Sequence, residues 1–393
     1  MRPVLVAGAG PVGLTAAAAL SARGVPITVL EAEPALPLEL RASTFHAPTL
    51  DMLDALGAAK PMIAEGLVAP HLQYRNRDHS LIAAFDFGLI ADATRHPFRV
   101  QCEQFKLVRI LAGLLEGRPG FELRLGARVE HAEDRGDHVR VRLADGAALD
   151  GSWLVGADGA RSAVRRAAGL AFEGFTWPER FLVLSTPFDF AQAIPGLADV
   201  SYYADPEEWF FLLRVPGLWR AMFPVKPEVS EEEVASDAFA AARMARILAG
   251  GGPYEIRHRT LYRVHQRVAE RFRKGRILLA GDAAHINNPL GGMGLNGGIH
   301  DAVNLSEKLV AVLLDGADDA LLDRYDRQRR GVTVEHVQSQ TIANKQNLEA
   351  VEPAAQAAFR ERMAATAADP AAAHDYLIRI SMIASLRRAE AIA

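Results

Sequence analysis

The sequence predicts an α/β protein in three parts: a domain built on a parallel sheet, an antiparallel β-sheet inserted into it, and helices at the C-terminus. The parallel sheet is indicated by two short apolar runs, Pro3 to Ala7 and Val25 to Glu31. The alanine-rich run Pro11 to Arg23 lies between them and predicts the connecting helix. Aromatic and β-branched runs between Phe181 and His265 predict the antiparallel sheet. Apolar residues recurring at a 3.6-residue period after Asn296 predict the helices.

The opening of the chain has the pattern of a strand, a tight turn, a helix and a second strand. Gly8, Gly10 and Gly13 lie in the turn, Gly24 closes the helix, and Glu31 ends the second strand. Glycines there permit the turn and let a pyrophosphate approach the helix N-terminus, while an acidic residue can accept hydrogen bonds from a ribose. We therefore predict a Rossmann-type dinucleotide-binding domain. This motif alone does not distinguish NAD from FAD.

The composition excludes several other classes of protein. With 44 basic and 48 acidic residues and a net charge of -4, the chain offers no electrostatic case for nucleic acid or an anionic membrane. Cys102 is the single cysteine, so no intramolecular disulfide or Cys-x-x-Cys metal site can form, and a cytoplasmic location is expected. No run approaches the roughly 18 apolar residues of a membrane span. The histidines show no metal-ligand spacing, so no metal is expected.

Two further motifs follow. The segment Ala157 to Ser162 contains Asp158-Gly159 after an apolar run, although an Asp-Gly turn leading into a helix is a common structural use of those residues. The segment Gly275 to His285 is an apolar strand ending in Gly281-Asp282, followed by a glycine-rich loop and a long helix. Such a loop can place a carboxylate on a sugar-like hydroxyl chain and a positive helix end against a developing anion.

The three motifs, in this order, resemble those of the FAD-dependent aromatic hydroxylases of the para-hydroxybenzoate hydroxylase type, the class A flavoprotein monooxygenases. The resemblance covers residues 2 to about 315 and implies that FAD is the cofactor. The residues that it implies for FAD binding lie in the motifs and between them: Gly8, Gly10, Pro11, Val12, Gly13, Glu31, Ala32, Arg41, Gln104, Asp158, Gly159, Gly281, Asp282, Pro289, Gly292, Gly294, Leu295 and Asn296. Ala32 departs from the family, which often has a basic residue there.

The resemblance also implies the reaction. NADH or NADPH, visiting transiently, would reduce the flavin, and O2 would then form a flavin C4a-hydroperoxide that hydroxylates a small aromatic or heteroaromatic ring. The presence of one dinucleotide fingerprint suits a transient nicotinamide. Pro289, Gly294, Leu295 and Asn296 match the loop beside the flavin ring, where backbone N–H groups would stabilise negative charge.

Substrate contacts are expected from the antiparallel sheet and from one histidine. Phe211 and Leu213 lie on one face of a strand, and Phe210, Leu212 and Arg214 lie on the other, so either face could line the pocket. The substrate candidates are His46, Tyr203, Phe211 and Leu213. Sheet core remains the competing interpretation for each aromatic residue, and surface or core packing for His46.

The predicted domain limits follow the same patterns. We expect residues 1–70, 97–180 and 266–320 to form the FAD-binding domain, 71–96 and 181–265 the substrate-binding sheet, and 321–393 the C-terminal helical region. A monomer or a homodimer fits equally well.

Three other functions remain open for a chain with these motifs. They are a flavin reductase of the same fold, a quinone-pathway hydroxylase and a flavin-binding redox sensor without turnover. A halogenase is disfavoured, because the Trp-x-Trp-x-Ile-Pro signature is absent.

Overall fold

A computed structural model describes residues 1–38, 42–205, 207–248, 250–349 and 352–393. These residues form twenty strands: β1 (Val4–Ala7), β2 (Ile27–Leu30), β3 (Thr44–Phe45), β4 (Leu67–Ala69), β5 (His71–Arg75), β6 (Leu81–Asp86), β7 (Arg99–Gln101), β8 (Phe121–Arg124), β9 (Val129–Asp134), β10 (Val139–Leu143), β11 (Ala148–Gly151), β12 (Leu154–Gly156), β13 (Phe172–Thr186), β14 (Val200–Tyr203), β15 (Phe210–Val215), β16 (Leu218–Val225), β17 (His258–Ala269), β18 (Arg273–Lys274), β19 (Ile277–Leu279) and β20 (His285–Ile286).

The helices of the same residues are α1 (Pro11–Ser21), α2 (Ala47–Ala55), α3 (Ala59–Glu65), α4 (Gln104–Leu115), α5 (Ala163–Ala167), α6 (Phe190–Ala193), α7 (Glu231–Ala235), α8 (Asp237–Ile247), α9 (Met293–Leu314), α10 (Leu321–Val332), α11 (Ser339–Leu348), α12 (Pro353–Ala368), α13 (Pro370–Ile380) and α14 (Ile383–Glu390). Short 3-10 segments lie at Phe87–Ile90 and Gly281–Ala283, and a π-helical segment joins α10 to α11 at Thr333–Gln338. No helix of the described ranges is long and apolar enough to cross a bilayer.

The first sheet is built around β1. Its strand order is β18-β19-β12-β1-β2-β8, and all neighbours are parallel except β18 and β19. Every residue of β1 is buried, because strands flank it on both sides and helices cover the sheet. This explains why the sequence of β1 is continuously apolar instead of alternating.

A small antiparallel meander, β9 to β11, interrupts this sheet in sequence. Val139, Val141 and Leu143 of β10 are buried and alternate with exposed arginines. Short alternating runs in the sequence from Phe121 to Val155 favour a meander over that whole segment, but the structure confines the meander to β9 to β11. The outer strands of that segment, β8 and β12, pair with β2 and β1 in the parallel sheet instead.

The second large sheet has the order β20-β17-β13-β16-β15-β14-β5-β6, and its neighbours are antiparallel except β14 and β5. Each face of this sheet packs into its own apolar cluster. Phe210 and Leu212 face a cluster that includes residues of α7 and α8, whereas Phe211 and Leu213 face one that includes residues of α12 and α13. The alternation of the two faces in β15 follows directly from the strand period.

The architecture confirms the predicted fold class, an α/β protein with a Rossmann-type domain, an inserted antiparallel sheet and C-terminal helices. Strands β5 and β6 join β13 to β17 in one sheet, although more than 80 residues separate them in sequence. The division into three domains with the limits given above stays a prediction.

Helices α1 and α9 cross closely because two glycines lie at the crossing. A Cβ atom added at Gly298 of α9 would lie 2.6 Å from Val12 Cγ2 and 3.0 Å from the Cα of Gly281. One added at Gly281, where φ is +62°, would lie 2.8 Å from the same Val12 methyl. The first and third sequence motifs therefore meet at this point.

Replacing Gly298 should destabilise the fold even though alanine favours helix. In Gly298→Ala the new methyl group meets backbone at Gly281, and overpacking of this kind costs about 1–3 kcal/mol. Urea unfolding of the purified protein would measure the change in the free energy of unfolding.

Gly113→Ala is the matched control. Gly113 also lies inside a helix, α4, but a Cβ there meets nothing within 4 Å. This substitution should stabilise the protein by roughly 0.5–1 kcal/mol. Equal effects of the two substitutions would contradict the close crossing.

Candidate functional site

The glycines of the first motif divide into two kinds. Gly8 has a φ of +101°, and an added Cβ would lie 2.5 Å from the carbonyl oxygen of Ala157, while one at Gly13 would lie 2.0 Å from the carbonyl oxygen of Gly8. These two positions admit no side chain because the chain itself is in the way. A Cβ at Gly10 would meet nothing within 4 Å. Gly10 therefore keeps open the space before the N-terminus of α1, where a pyrophosphate could approach.

The carboxylate of Glu31 is fixed beside this turn. It accepts hydrogen bonds from the backbone N–H of Ala9 at 2.7 Å and from that of Glu33 at 3.0 Å. Glu31 and Ala32 are half-buried, as are Pro11 and Val12 at the start of α1. A carboxylate accepts several hydrogen bonds, so the acceptor capacity left on Glu31 fits a ribose hydroxyl.

The side chain of Asp158 caps a helix. Its two carboxylate oxygens accept from the Ser162 hydroxyl and from the backbone N–H groups of Ala163 and Val164, at 2.7 and 3.1 Å for the latter two. The structural interpretation of the second motif therefore accounts for this carboxylate. At Gly159 the backbone itself is open, since φ is +79° and nothing lies within 4 Å of an added Cβ.

The end of β19 is held by a buried carboxylate, Asp301 of α9. It accepts from Gly281 N at 3.1 Å, from His285 Nε2 at 2.7 Å and from Arg329 Nε at 2.7 Å. Burial alone would raise the pKa of Asp301, but His285 and Arg329 lower it below the ordinary value. Asp282, the residue after Gly281, is exposed at this strand end.

Asn296 ties the start of α9 to the segment around β3. Its Nδ2 donates to the carbonyl oxygens of Thr44, at 2.9 Å, and Gly292, at 2.6 Å, and its Oδ1 accepts from His46 N at 2.9 Å. The whole amide is used in this way, so Asn296 orders the loop that opens α9. The first-turn N–H groups of α9 are the ones that have no partner within the helix.

The remaining loop residues lie around that N-terminus. Gly291 and Gly292 have φ of +98° and +68°, Gly294 and Leu295 are half-buried, and Pro289 is exposed. A Cβ at Gly294 would lie 3.3 Å from Asn287 Oδ1, a buried oxygen without a hydrogen-bond partner. The loop thus presents backbone rather than side chains at the helix end.

His46 is buried against this loop. Its Nε2 lies 2.8 Å from the carbonyl oxygen of Gly291, which can only accept, so Nε2 carries the proton. Burial and the nearby Arg99 hold the pKa of His46 well below 6.5, so the ring is neutral. Its Nδ1 is a buried acceptor without a partner.

The structure separates the other substrate candidates. Phe211 and Leu213 lie on the sheet face that carries Tyr202, whose hydroxyl accepts from Gly291 N at 3.2 Å. Tyr203 lies on the opposite face, where its ring stacks on Phe210 at a centroid distance of 4.2 Å. Tyr203 is therefore not brought to the loop.

Two predicted cofactor residues lie at the edge of what the structure describes. Gln104 begins α4, and its backbone N–H donates to Ala42 O at 3.0 Å, so it lies next to the segment that leads into β3. Arg41 lies outside the described residues.

Sequence reasoning missed a buried polar cluster beside the loop: Arg99, Tyr74, Tyr202 and Tyr376. Arg99 lies beside the hydroxyl of Tyr202, and the hydroxyls of Tyr74 and Tyr376 are 2.9 Å apart. Burial raises the pKa of all three tyrosines, that of Tyr376 to about 12, so they are neutral. The available signal was the alternation of Arg99 and Gln101 around Val100 in one short buried strand.

Together these residues form an extended site between the two large sheets. Gly10 and Glu31 offer a place for a pyrophosphate and a ribose, and the N-terminus of α9 offers donors beside apolar and tyrosine side chains. The unpartnered buried oxygen of Asn287 and the open Gly10 fit a bound dinucleotide whose ring system ends at the loop.

Comparisons with known proteins agree with this geometry. The sequence model of the family described as FAD binding domain matches residues 1–340. The chain is 35% identical over 349 residues to para-nitrophenol 4-monooxygenase of Pseudomonas sp. (strain WBC-3), covering 87% of this chain and 86% of that protein. It is 34% identical over 351 residues to 6-hydroxy-3-succinoylpyridine 3-monooxygenase HspB of Pseudomonas putida (strain DSM 28022 / S16), covering 88% of each.

A solved structure is also similar to this chain over almost its whole length. The p-nitrophenol 4-monooxygenase PnpA of Pseudomonas putida DLL-E4 superposes with a TM-score of 0.91 at 33% identity, covering 97% of this chain and 98% of that one. These relatives favour a monooxygenase over the reductase, the quinone-pathway hydroxylase and the redox sensor. The chain therefore belongs to the FAD binding domain family and is an FAD-dependent monooxygenase of the aromatic hydroxylase type.

Proposed function

We propose that this enzyme uses NADH or NADPH and O2 to hydroxylate a small phenolic or hydroxylated heteroaromatic ring. One observation supports the proposal most: the N-terminus of α9 and the sheet face carrying Phe211, Leu213 and Tyr202 meet at Gly291. A planar ring held against that face would lie beside the helix end. A cytoplasmic location and a monomeric or homodimeric state belong to the same proposal.

The chain's own residues have three tasks in this reaction. FAD, when bound and reduced, supplies the activated oxygen for transfer to the ring. The first-turn N–H groups of α9 stabilise negative charge at the edge of the cofactor, through their own dipoles and that of the helix. Phe211 and Leu213 provide an apolar wall that excludes water and orients the substrate. Pro289, Gly294, Leu295 and Asn296 act by shaping this loop.

Flavin binding is proposed to follow the three motifs. Gly8, Gly10 and Gly13 admit the pyrophosphate, Glu31 holds the adenosine ribose, and Asp282 holds the hydroxyl chain next to the flavin ring. Asp282 suits this role because it lies in the short 3-10 segment after β19, next to Gly281, whose backbone N–H is held by Asp301. The nicotinamide is proposed to bind transiently, since the chain has one dinucleotide fingerprint.

Asp282→Ala should weaken FAD binding strongly. Loss of a charged acceptor typically costs about 1.5–3 kcal/mol, which corresponds to a roughly 10- to 150-fold rise in the dissociation constant. Fluorescence titration of the apoprotein with FAD measures this dissociation constant. Glu31→Ala should have a smaller effect, because part of the acceptor capacity of that carboxylate is already used by the backbone N–H groups of Ala9 and Glu33.

Glu116→Ala provides the control, since Glu116 is an exposed carboxylate after the end of α4. It should leave FAD affinity unchanged. A folded Asp282→Ala protein that binds FAD as tightly as this control would remove Asp282 from the site.

The reaction itself is tested by following oxygen. With its substrate the enzyme should consume NAD(P)H faster than without it, and one atom of isotopically labelled O2 should appear in the product. A panel of phenols and hydroxylated heteroaromatics identifies the substrate. Consumption of a substrate without labelled oxygen in the product, or equal turnover with another electron acceptor, would contradict hydroxylation.

Gly294→Val should uncouple this reaction. A side chain there crowds Asn287 and the helix end, so the product formed per NAD(P)H should fall while hydrogen peroxide rises. Measuring NAD(P)H, peroxide and product in the same reaction gives the coupling.

Ala311→Val is the matched control, because it adds bulk to the same helix about 25 Å from its first turn. Its coupling should equal that of the wild type. Normal coupling in Gly294→Val would show that the loop lies away from the reacting atoms.

A further inference from the structure

Arg99 is a buried cation that forms no ion pair with any of the residues that the structure describes. Arg99 is 2% exposed, and its Nε has no hydrogen-bond partner among the described residues. The groups that raise the pKa of Arg99 are the hydroxyls of Tyr202, Tyr376 and Tyr74, and no carboxylate of the described residues is among them. Burial lowers the pKa of Arg99, but a guanidinium remains protonated in proteins. A full positive charge is therefore buried here.

An unpaired buried charge such as that of Arg99 is unfavourable in a protein without a bound ligand. A buried charge is normally paired, and an unpaired one loses its hydration without compensation. The ring of Phe87, 4.9 Å from the Arg99 guanidinium carbon, offsets only part of that loss.

Arg75, on β5 of the second large sheet, shows the contrast. It is 5% exposed, and it donates to the carbonyl oxygens of His79 and Gly196, both at 2.6 Å, and to Gln73 Oε1 at 2.9 Å. The fold thus satisfies Arg75 through neutral oxygen acceptors, whereas Arg99 keeps an Nε without any acceptor.

Within the described part of the chain, the titratable groups that act most strongly on Arg99 are neutral. Tyr74 of β5, Tyr202 of β14 and Tyr376 of α13 are neutral hydroxyl groups, because burial raises their pKa. His46, from the segment before α2, is neutral and leaves Nδ1 unpartnered. Beyond these lie His300, whose pKa burial lowers to about 3, and Arg379, whose guanidinium carbon is 5.5 Å from the Tyr376 ring centroid.

We propose that Arg99 is the counterion of an aromatic anion, so that the enzyme selects ring substrates that carry a negative charge. The proposal rests on the proposed function and specifies the substrate class of that site. Arg99 lies beside the hydroxyl of Tyr202, and that hydroxyl accepts from Gly291 N of the loop. An anion on Arg99 would therefore lie beside the start of α9. Its charge can come from a phenolate oxygen or from a carboxylate on the ring.

Binding of charged and neutral aromatic probes to the oxidised FAD-loaded enzyme tests the role of Arg99 without turnover. Calorimetric titration would compare two pairs of probes at a pH at which 4-nitrophenol is ionised. The first pair, 4-nitrophenol and its methyl ether 4-nitroanisole, tests the phenolate. The second pair, 4-hydroxybenzoate and 4-hydroxybenzamide, tests a ring carboxylate. We expect the charged member of at least one pair to bind about 10- to 150-fold more tightly than the neutral member.

Arg99→Met should abolish that preference, and Arg99→Lys should restore part of it because the charge returns. Arg99→Met should also be as thermally stable as the wild type or more so without ligand, since the unpaired charge is gone. A merely structural arginine would behave in the opposite way. Arg75→Met is the matched control: it should lower the melting temperature and keep the preference for the charged probe.

The two pairs distinguish the source of the charge. A preference confined to 4-nitrophenol assigns the phenolate, and one confined to 4-hydroxybenzoate assigns a ring carboxylate. The proposal is overturned if the wild type binds neither charged probe more tightly than its neutral partner, or if Arg99→Met retains the preference. Because no oxygen is transferred in these titrations, their outcome is independent of whether labelled oxygen enters a product.

Discussion

The buried carboxylate of Asp301 is the interaction on which the site depends. It joins α9 to the end of β19 through Gly281, to β20 through His285, and to α10 through Arg329. Arg329 also donates to the carbonyl oxygen of Gly297 at 3.3 Å. Removing one partner of a buried ion pair typically costs about 3–5 kcal/mol, because the other charge is left uncompensated. The strand end and the helix that border the proposed flavin site are thus held in one fixed relation.

The second large sheet is connected to this frame at the loop before α9. Tyr202 binds Gly291 from the sheet, and His46 binds the same residue from the segment before α2. Asn296 then secures that segment to the helix. A loop rich in glycine has little stiffness of its own, so these side chains supply it. His46 and the three tyrosines are neutral, so they do not balance the buried positive charge of Arg99.

The parts predicted from the sequence are those set by local pattern. The strand, turn and helix around Gly8 and the alternation of Phe210 and Phe211 follow from spacing along the chain. Tyr203 shows the limit, because the period assigns it to a face but does not say which face meets the loop. Asp158 shows another limit, since a carboxylate after a strand suits both a helix cap and a ligand contact.

The cluster around Arg99 could not be predicted for a different reason. Its members come from β5, β7, β14 and α13, and Tyr74 and Tyr376 are 302 positions apart in sequence. Tertiary packing alone brings them together. A short strand with Arg99 and Gln101 on one face gave a sign of an unusual environment, but the charge balance around Arg99 becomes visible only when all neighbours are known.

We propose that the flavin ring and the aromatic substrate meet between the start of α9 and the Phe211 face of the sheet. A crystal structure of the FAD-loaded enzyme with 4-nitrophenol measures this directly. We expect first-turn N–H groups of α9 at hydrogen-bond distance, about 2.7–3.2 Å, from the flavin ring, with the phenol ring between the flavin and Phe211. A flavin ring away from residues 289–296, or a phenol bound on the Tyr203 face, would contradict it.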